Sequence, residues 1–530
     1  MNTGRLAIAL AAALALAGCW TMQEVVDHAG PDTDSDADSD ADADSDADGD
    51  SDSDGDSDSD APPSGSPSWA RKIGGQWTDI ANSVAILNDG AIAVGGTVFD
   101  TAWAHGADGP EIELGEEESG WGNFVAVYEP NGDLRWATTV LDWDFEYSSG
   151  AAECTLAVSQ EGDLVLGASG MGGGILMPGS PDEVSFTSAS PFSGGVGILA
   201  KLSPGGDLLG HWEMQSQYTF YYERIAPGPG GKIYIAGRHQ DEVSLDDDVF
   251  GFEIPGGGGT SSFVMTLSEE FEPAAALYGG SKRIKDITFP DDDTILLGGA
   301  FSGTTFFGTG DDQQLFVAQG EMDAFLASYD LDWNLEHVEV IGGEGIEIIR
   351  SLASLSNGNV AAAGAYTEEV DLWSQTLQLP AETDAGFLAS VNDGFEGDWI
   401  NAITPEASGY GIPTEVAPMA VDTITAGTFS IKTEFGGSDG TAATFDPEHI
   451  ECGFVVRYDQ NGAVEWLALA DSSDGAWVHD LAVDGENRPV LAGKFHGQMW
   501  LGPSGNQIGL NSDTSFAELL TDGFVAVLSP

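Results

Sequence analysis

The chain has 530 residues, with 88 Asp and Glu against 16 Lys and Arg, for a formal net charge of -72. Such a surface repels phosphate, which excludes a nucleic-acid partner, and three Cys exclude a metal-cluster or disulfide-rich design. Hydrophobic residues make up 42%, enough for a large core, and Gly is unusually abundant at 72 residues.

Residues 1–18 read as an export signal. Arg5 supplies the positive start, and the apolar run from Leu6 to Leu16 is too short to span a bilayer. The run ends in Leu16-Ala17-Gly18-Cys19. This resembles the lipobox of bacterial lipoproteins, which implies cleavage before Cys19 and lipidation of its thiol. Several acyl chains hold a protein far better than one. Trp20 rather than Asp follows the Cys, which by the same resemblance favours the outer membrane; exposure at the cell surface is a separate expectation.

Residues 19–68 read as a lipid-anchored acidic linker. Asp stands at every even position from Asp32 to Asp60, separated by small residues. Like charges at this spacing repel, and nothing here can form a core, so a disordered, stretched tether is expected. The Asp-Gly half-matches to an EF-hand loop lack the Glu that closes such a loop, leaving only weak Ca²⁺ association. No other cofactor is expected.

Residues 69–530 repeat. A short strand opens at Phe124, Ile198, Phe263, Phe325, Phe387, Phe454 and Phe524. A second strand closes on Gly96, Gly167, Gly237, Gly299, Gly364, Gly427 and Gly493, giving seven modules of roughly 66 residues. Within a module, two apolar runs flank a turn such as Asn88-Asp89-Gly90. The Phe strand then passes Asn131-Gly132 or its equivalent into a fourth strand carrying Trp136, Trp212, Trp399 or Trp466. Four antiparallel strands repeated seven times predict an all-β fold, a single seven-bladed β-propeller. Trp69 opens a stretch matching a fourth strand, and Phe524 opens a third strand with no successor. The N-terminal strand should therefore pair with the C-terminal one and close the ring.

The pattern of Gly453, Phe454, Tyr458, Asn461, Gly462 and Trp466 resembles bacterial SBBP-type propeller repeats, which implies the fold and export but no catalytic motif. Three modules depart from it. Phe271, Trp333 and Phe395 fall where the turn Gly is expected, and Ala275 and His337 where the Trp is expected, so the fourth strands of the third and fourth modules are the least defined.

The repeated Trp side chains read as packing between adjacent blades. Non-repeating aromatics are the ligand candidates: Trp103, Trp121, Trp143, Tyr147, Tyr221 and Trp477. Long inserts, such as 101–122, 171–197 and 433–452, precede the third strand and should mark the binding face. Asp246 with Asp248, and Asp291 with Asp293, are candidate Ca²⁺ ligands. Cys154 and Cys452 are expected as buried thiols. Even without its leader and linker the chain holds 71 acids against 15 bases. The reading is a monomeric, lipid-anchored envelope propeller that binds protein or polysaccharide without catalysis. The alternative is an extracellular polysaccharide hydrolase or lyase on the same scaffold.

Overall fold

The computed structural model describes residues 63–530 except 108, 110, 116–119, 145–153, 189–194, 217–219, 241–242, 246–252, 255–259, 269, 281, 309–312, 374, 380–382, 407, 441, 448–450, 504 and 513–519. The expectations for the export signal, Cys19 and the Asp-rich linker lie outside the described residues.

The fold is all-β and propeller-like. Among the described residues the strands group into seven antiparallel units of four. Unit 1 runs Ile80–Ile86, Ile92–Phe99, Trp121–Tyr128 and Leu134–Trp143, and the next five repeat this order. The seventh runs Ala476–Val483, Pro489–Phe495 and Asp522–Leu528, and its fourth strand is Pro67–Gly75 from the start of the domain. That strand pairs antiparallel with Asp522–Leu528, Trp69 opposite Val527 and Lys72 opposite Phe524. Each unit's first strand packs against the first strand of the next, and the first strand of unit 7 packs against that of unit 1.

The two sequence repeats are one physical contact. Gly96, Gly237, Gly299, Gly364, Gly427 and Gly493 each sit in register opposite the repeated Phe of the third strand. At Gly96 a Cβ would stand 2.1 Å from the Ile80 carbonyl and 2.5 Å from the Phe124 ring; at Gly493 it would stand 2.1 Å from the Trp477 carbonyl. Only Gly lets strand and ring approach that closely. Unit 2 departs from the other six. There Ala168, not Gly167, lies opposite Ile198, and the first strand passes from Cys154 to Thr155 without the extra residue other units carry. The aliphatic partner and the regular strand leave room for a methyl group.

The long inserts are not free loops. Each folds as a hairpin beside the outer strand of the preceding unit. Gly173–Leu176 of unit 2 pairs with Leu134–Trp143 of unit 1, and Ala102–Ala104 of unit 1 pairs with Pro67–Gly75 of unit 7. The same lacing joins Val243–Leu245, Thr433–Gly436 and Gln498–Leu501 to their neighbours. Hairpins Thr304–Phe307/Gln314–Val317 and Val370–Leu372/Gln375–Leu377 form separate two-stranded sheets.

The recurring Trp residues join units at the rim. The Trp69, Trp136, Trp212 and Trp399 indoles donate to Pro130, Pro204, Phe271 and Gln460 carbonyls of the following unit's last turn, at 2.6–3.2 Å. The expected fourth strands of units 3 and 4 are present, Pro273–Gly280 and Leu335–Ile341. In the turns after them, Trp333 and Phe395 take positive φ of 65° and 58° where other units use Gly. The strain, of order 1–3 kcal/mol each, has a packing return. Where unit 3 has Ala275 instead of Trp, Trp333 from the next turn packs against Tyr234 of that unit. Where unit 4 has His337, Phe395 lies 4.4 Å from its ring.

Candidate binding site at the axial mouth

Six of the seven first strands carry a one-residue bulge: Asn82, Glu223, Lys285, Arg350, Thr414 and His479. A bulge turns an extra side chain out of the pleat. All six are half-buried. Being on the innermost strands, they face the central shaft. The next position in register is polar in every unit: Ser83, Thr155, Arg224, Asp286, Ser351, Glu415 and Asp480.

This polar belt stitches the units together. Asp480 of unit 7 accepts from the Val84 N–H and Ser83 hydroxyl of unit 1, at 2.7 and 2.8 Å. Ser83 accepts from Leu156 N–H, Asp286 from Leu352 N–H, and Ser351 from Val416 N–H, each one unit on. Arg224 of unit 3 bridges Asp286 of unit 4 and Glu415 of unit 6, both at 3.0 Å. One side chain therefore crosses the shaft. Burial pushes the Glu415 and Asp286 carboxyls up, Glu415 strongly, while Arg224 pulls both back.

The mouth lies one step toward the start of the first strands. Cross-strand pairs at one register read Ile80/Thr97, Tyr221/Arg238, Arg283/Ala300, Ile348/Ala365, Ile412/Thr428 and Trp477/Lys494, and the first-strand position of unit 2 lies outside the described residues. Units 3 and 7, on opposite sides of the shaft, each place a cation over an aromatic ring. Arg238 stands 4.3 Å from the Tyr221 centroid, and the Lys494 ammonium 5.0 Å from Trp477. Glu223 is ringed by Arg238 at 2.7 Å, Arg283 at 3.8 Å and Lys285 in contact. Burial raises the Glu223 carboxyl, but these three cations outweigh it and hold it below the ordinary Glu value. Arg350 of unit 5 faces Asp384, whose carboxyl burial raises and Arg350 opposes. His479 beside Lys494 is pushed down to about 3, chiefly by burial and then by that cation, so it stays neutral.

Of the ligand candidates read from sequence, Tyr221 and Trp477 stand at this mouth. Trp103 is half-buried in the lacing hairpin Ala102–Ala104. Trp121 and Trp143 are buried in the core and offer no face to a ligand. Trp121 packs edge-on to Phe99 at 4.9 Å, and the Trp143 indole donates to Asn123 Oδ1 at 2.8 Å. Tyr147, Asp246 and Asp248 lie outside the described residues. Asp291 and Asp293 are exposed in the hairpin turn on the opposite face, where Asp291 Oδ1 accepts from Asp293 N–H. Among the described residues no group of three or more His, Cys, Asp or Glu is arranged to hold a metal. Cys154 and Cys452 are buried and unbridged.

Sequence reasoning passed over the belt and the mouth cations. Their signal was present. Ser83, Thr155, Arg224, Asp286, Ser351 and Asp480 each stand seven residues before the turn at Gly90, Gly162, Gly231, Asp293, Gly358 and Asn487.

No protein-family model matches the chain, and no curated protein sequence matches it. Among solved structures it is similar to a catalytically inactive virginiamycin B lyase from Staphylococcus aureus with quinupristin, at 9% identity over 86% of this chain and 99% of that one, TM-score 0.36. A protein of unknown function from Bacteroides caccae is 11% identical over 66% and 90%, TM-score 0.28. A luciferin-regenerating enzyme is 10% identical over 64% and 88%, TM-score 0.28. At these levels no chemistry carries over from those proteins.

Proposed function

We propose that the chain is an exported protein, lipid-anchored through Cys19 and carried on the acidic linker. Its single seven-bladed β-propeller, closed by Pro67–Gly75, binds a ligand at the axial mouth without transforming it. Closure is supported by the pairing of the first and last strands, by the packing of unit 7 on unit 1, and by Arg224 reaching two other units. The lipid anchor rests on the sequence 16–19 and places the protein in the cell envelope, at the outer membrane.

The observation that carries the binding reading is the pair of aromatic-backed cations, Arg238 on Tyr221 and Lys494 on Trp477, at one register of units 3 and 7. Such rings hold long cationic side chains in place at little entropic cost. Polar groups beneath them are committed elsewhere. Asp286, Asp480, Ser83 and Ser351 hold backbone N–H groups of neighbouring units, and His479 is too weakly basic to take a proton near neutral pH. This suits recognition more than acid–base work.

The test is a glycan array and an envelope-extract pull-down with the purified chain, followed by analysis of what is retained. The expected outcome is a ligand recovered intact. Shortened or unsaturated products would refute the reading in favour of a hydrolase or lyase. A globomycin-sensitive mass shift of the N-terminal peptide tests the anchor.

A further inference from the structure

The insert hairpin of unit 4 differs from the five that lace onto a neighbour. Its strands, Thr304–Phe307 and Gln314–Val317, form a sheet of two, and among the described residues no strand lies beyond Gln314–Val317. One face packs inward, with Phe307 4.9 Å from Phe325 and 5.3 Å from Phe316. The other face carries Phe306, Leu315 and Val317, which are 51%, 57% and 62% exposed. Phe306 stands opposite Leu315, and Val317 opposite Thr304. Scattered surface apolar residues are ordinary, but three side by side on one sheet face mark a contact surface. The register also fixes where the main chain points. Ala318 N–H donates to the Gly303 carbonyl at 2.7 Å, so the hydrogen-bonded pairs fall at Gly303/Ala318, Thr305/Phe316 and Phe307/Gln314. Leu315 and Val317 take the alternate positions, and their N–H and C=O groups point away from Thr304–Phe307. On the other edge Phe306 does the same, and its carbonyl accepts from the Lys282 ammonium.

We propose that the edge Gln314–Val317 takes up an extended segment of another protein as an added strand, apolar at its centre and cationic at its ends. Main-chain bonds to Leu315 and Val317 supply affinity, and cross-strand pairing with their exposed side chains supplies selection. The cationic ends follow from acids on either side of the edge in the chain: Asp311 and Asp312 precede it, and Glu321, which is exposed, follows it. The same acidity turns away the occupants that this chain itself could offer. The stretch from Asp32 to Asp60 is acidic and holds no large apolar side chain. A second copy brings the same formal net charge, -72, and is repelled. This surface is separate from the axial mouth and does not depend on a ligand there.

The experiment is fluorescence anisotropy of the purified chain with a labelled peptide, Lys-Lys-Val-Thr-Val-Thr-Val-Lys-Lys. This peptide is expected to bind. The same sequence with Glu for Lys, and Lys-Lys-Gly-Ser-Gly-Ser-Gly-Lys-Lys, are expected not to bind. Val317→Pro removes one outward N–H and leaves the bonds within the hairpin, at a place where an edge strand tolerates Pro. It should weaken binding about tenfold. Leu315→Ser should weaken it about as much, through lost apolar contact. Should Val317→Pro fail to fold, N-methylation of alternate residues in the peptide removes the same ladder bonds from the other side. Equal binding of the Gly-Ser peptide shows attraction by charge alone and overturns the proposal. So do affinities unchanged by both substitutions, or a dimer in sedimentation that Val317→Pro breaks, which assigns the edge to a second copy.

Discussion

Replacing Arg224 by Met removes the one cation of the axial belt and leaves Asp286 and Glu415 facing each other without it. Breaking a fully buried pair costs about 3–5 kcal/mol. Arg224 is 31% exposed within the shaft, so water replaces part of its charge and about 3 kcal/mol is expected near pH 8. Over a domain of this size that corresponds to a melting temperature lower by about 3 °C. The sign with pH follows from the carboxyls. Both are already raised in the fold, and an acid raised in the fold stabilises it below its unfolded pKa and loses that contribution as pH climbs through its folded value. Removing Arg224 raises both further, so the penalty should shrink as the pH falls, to about 1 kcal/mol at pH 4. Calorimetry and guanidinium unfolding at pH 4 and pH 8 measure it. Adding Glu415→Gln to the variant should recover at least half of the loss at pH 8. A penalty equal at the two pH values, or no recovery, would refute the reading of the belt as an ion-paired lock.

Two further outcomes test other parts of the ring. Glu347 begins the first strand of unit 5 beside Asp323, and its carboxyl is raised to about 7, by burial first and then by Asp323, against the Gly343 N–H that it accepts. Its contribution is complete below about pH 4 and lost as pH rises through 7. Glu347→Gln should therefore be more stable than the parent by about 2 kcal/mol at pH 8, and equal to it at pH 4, by thermal melts across that range. Trp69→Ala removes a buried ring that packs against Tyr128 and donates to Pro130. It should cost about 3–5 kcal/mol, with amide exchange accelerated first in Asp522–Leu528; protection there unchanged would count against the closing strand.

The coarse architecture was legible because its signals are local and repeated. A glycine opposite a phenylalanine, a turn glycine and a rim tryptophan recur with each unit, and the spare strand at Trp69 announced its own partner. In unit 2 the third strand carries Ile198 in place of Phe, and its partner is Ala168, one residue past the repeated Gly167. The belt was not legible for a physical reason. A bulge breaks the alternation of the strand, so Arg224 and Glu415 look like chance interruptions of apolar runs. Trp121 and Trp143 misled in the opposite way. They lie outside the repeat and near inserts, yet those inserts fold back as hairpins and bury them. Tyr221 and Trp477 stood out as non-repeating aromatics, but their partners Arg238 and Lys494 come from the opposing strand, a pairing that only the register shows.

The two ends of the described chain meet. Gly65 N–H donates to the Ser529 carbonyl and Ser529 N–H to the Ser66 carbonyl. Fourth strands run away from the turns of the first hairpins and toward the mouth, so Pro67 enters at the blunt face, on the outer edge, with Leu528 beside it. Both ends of the described chain thus lie on the face away from the mouth, so a tag or a support attached at residue 530 leaves the opening uncovered.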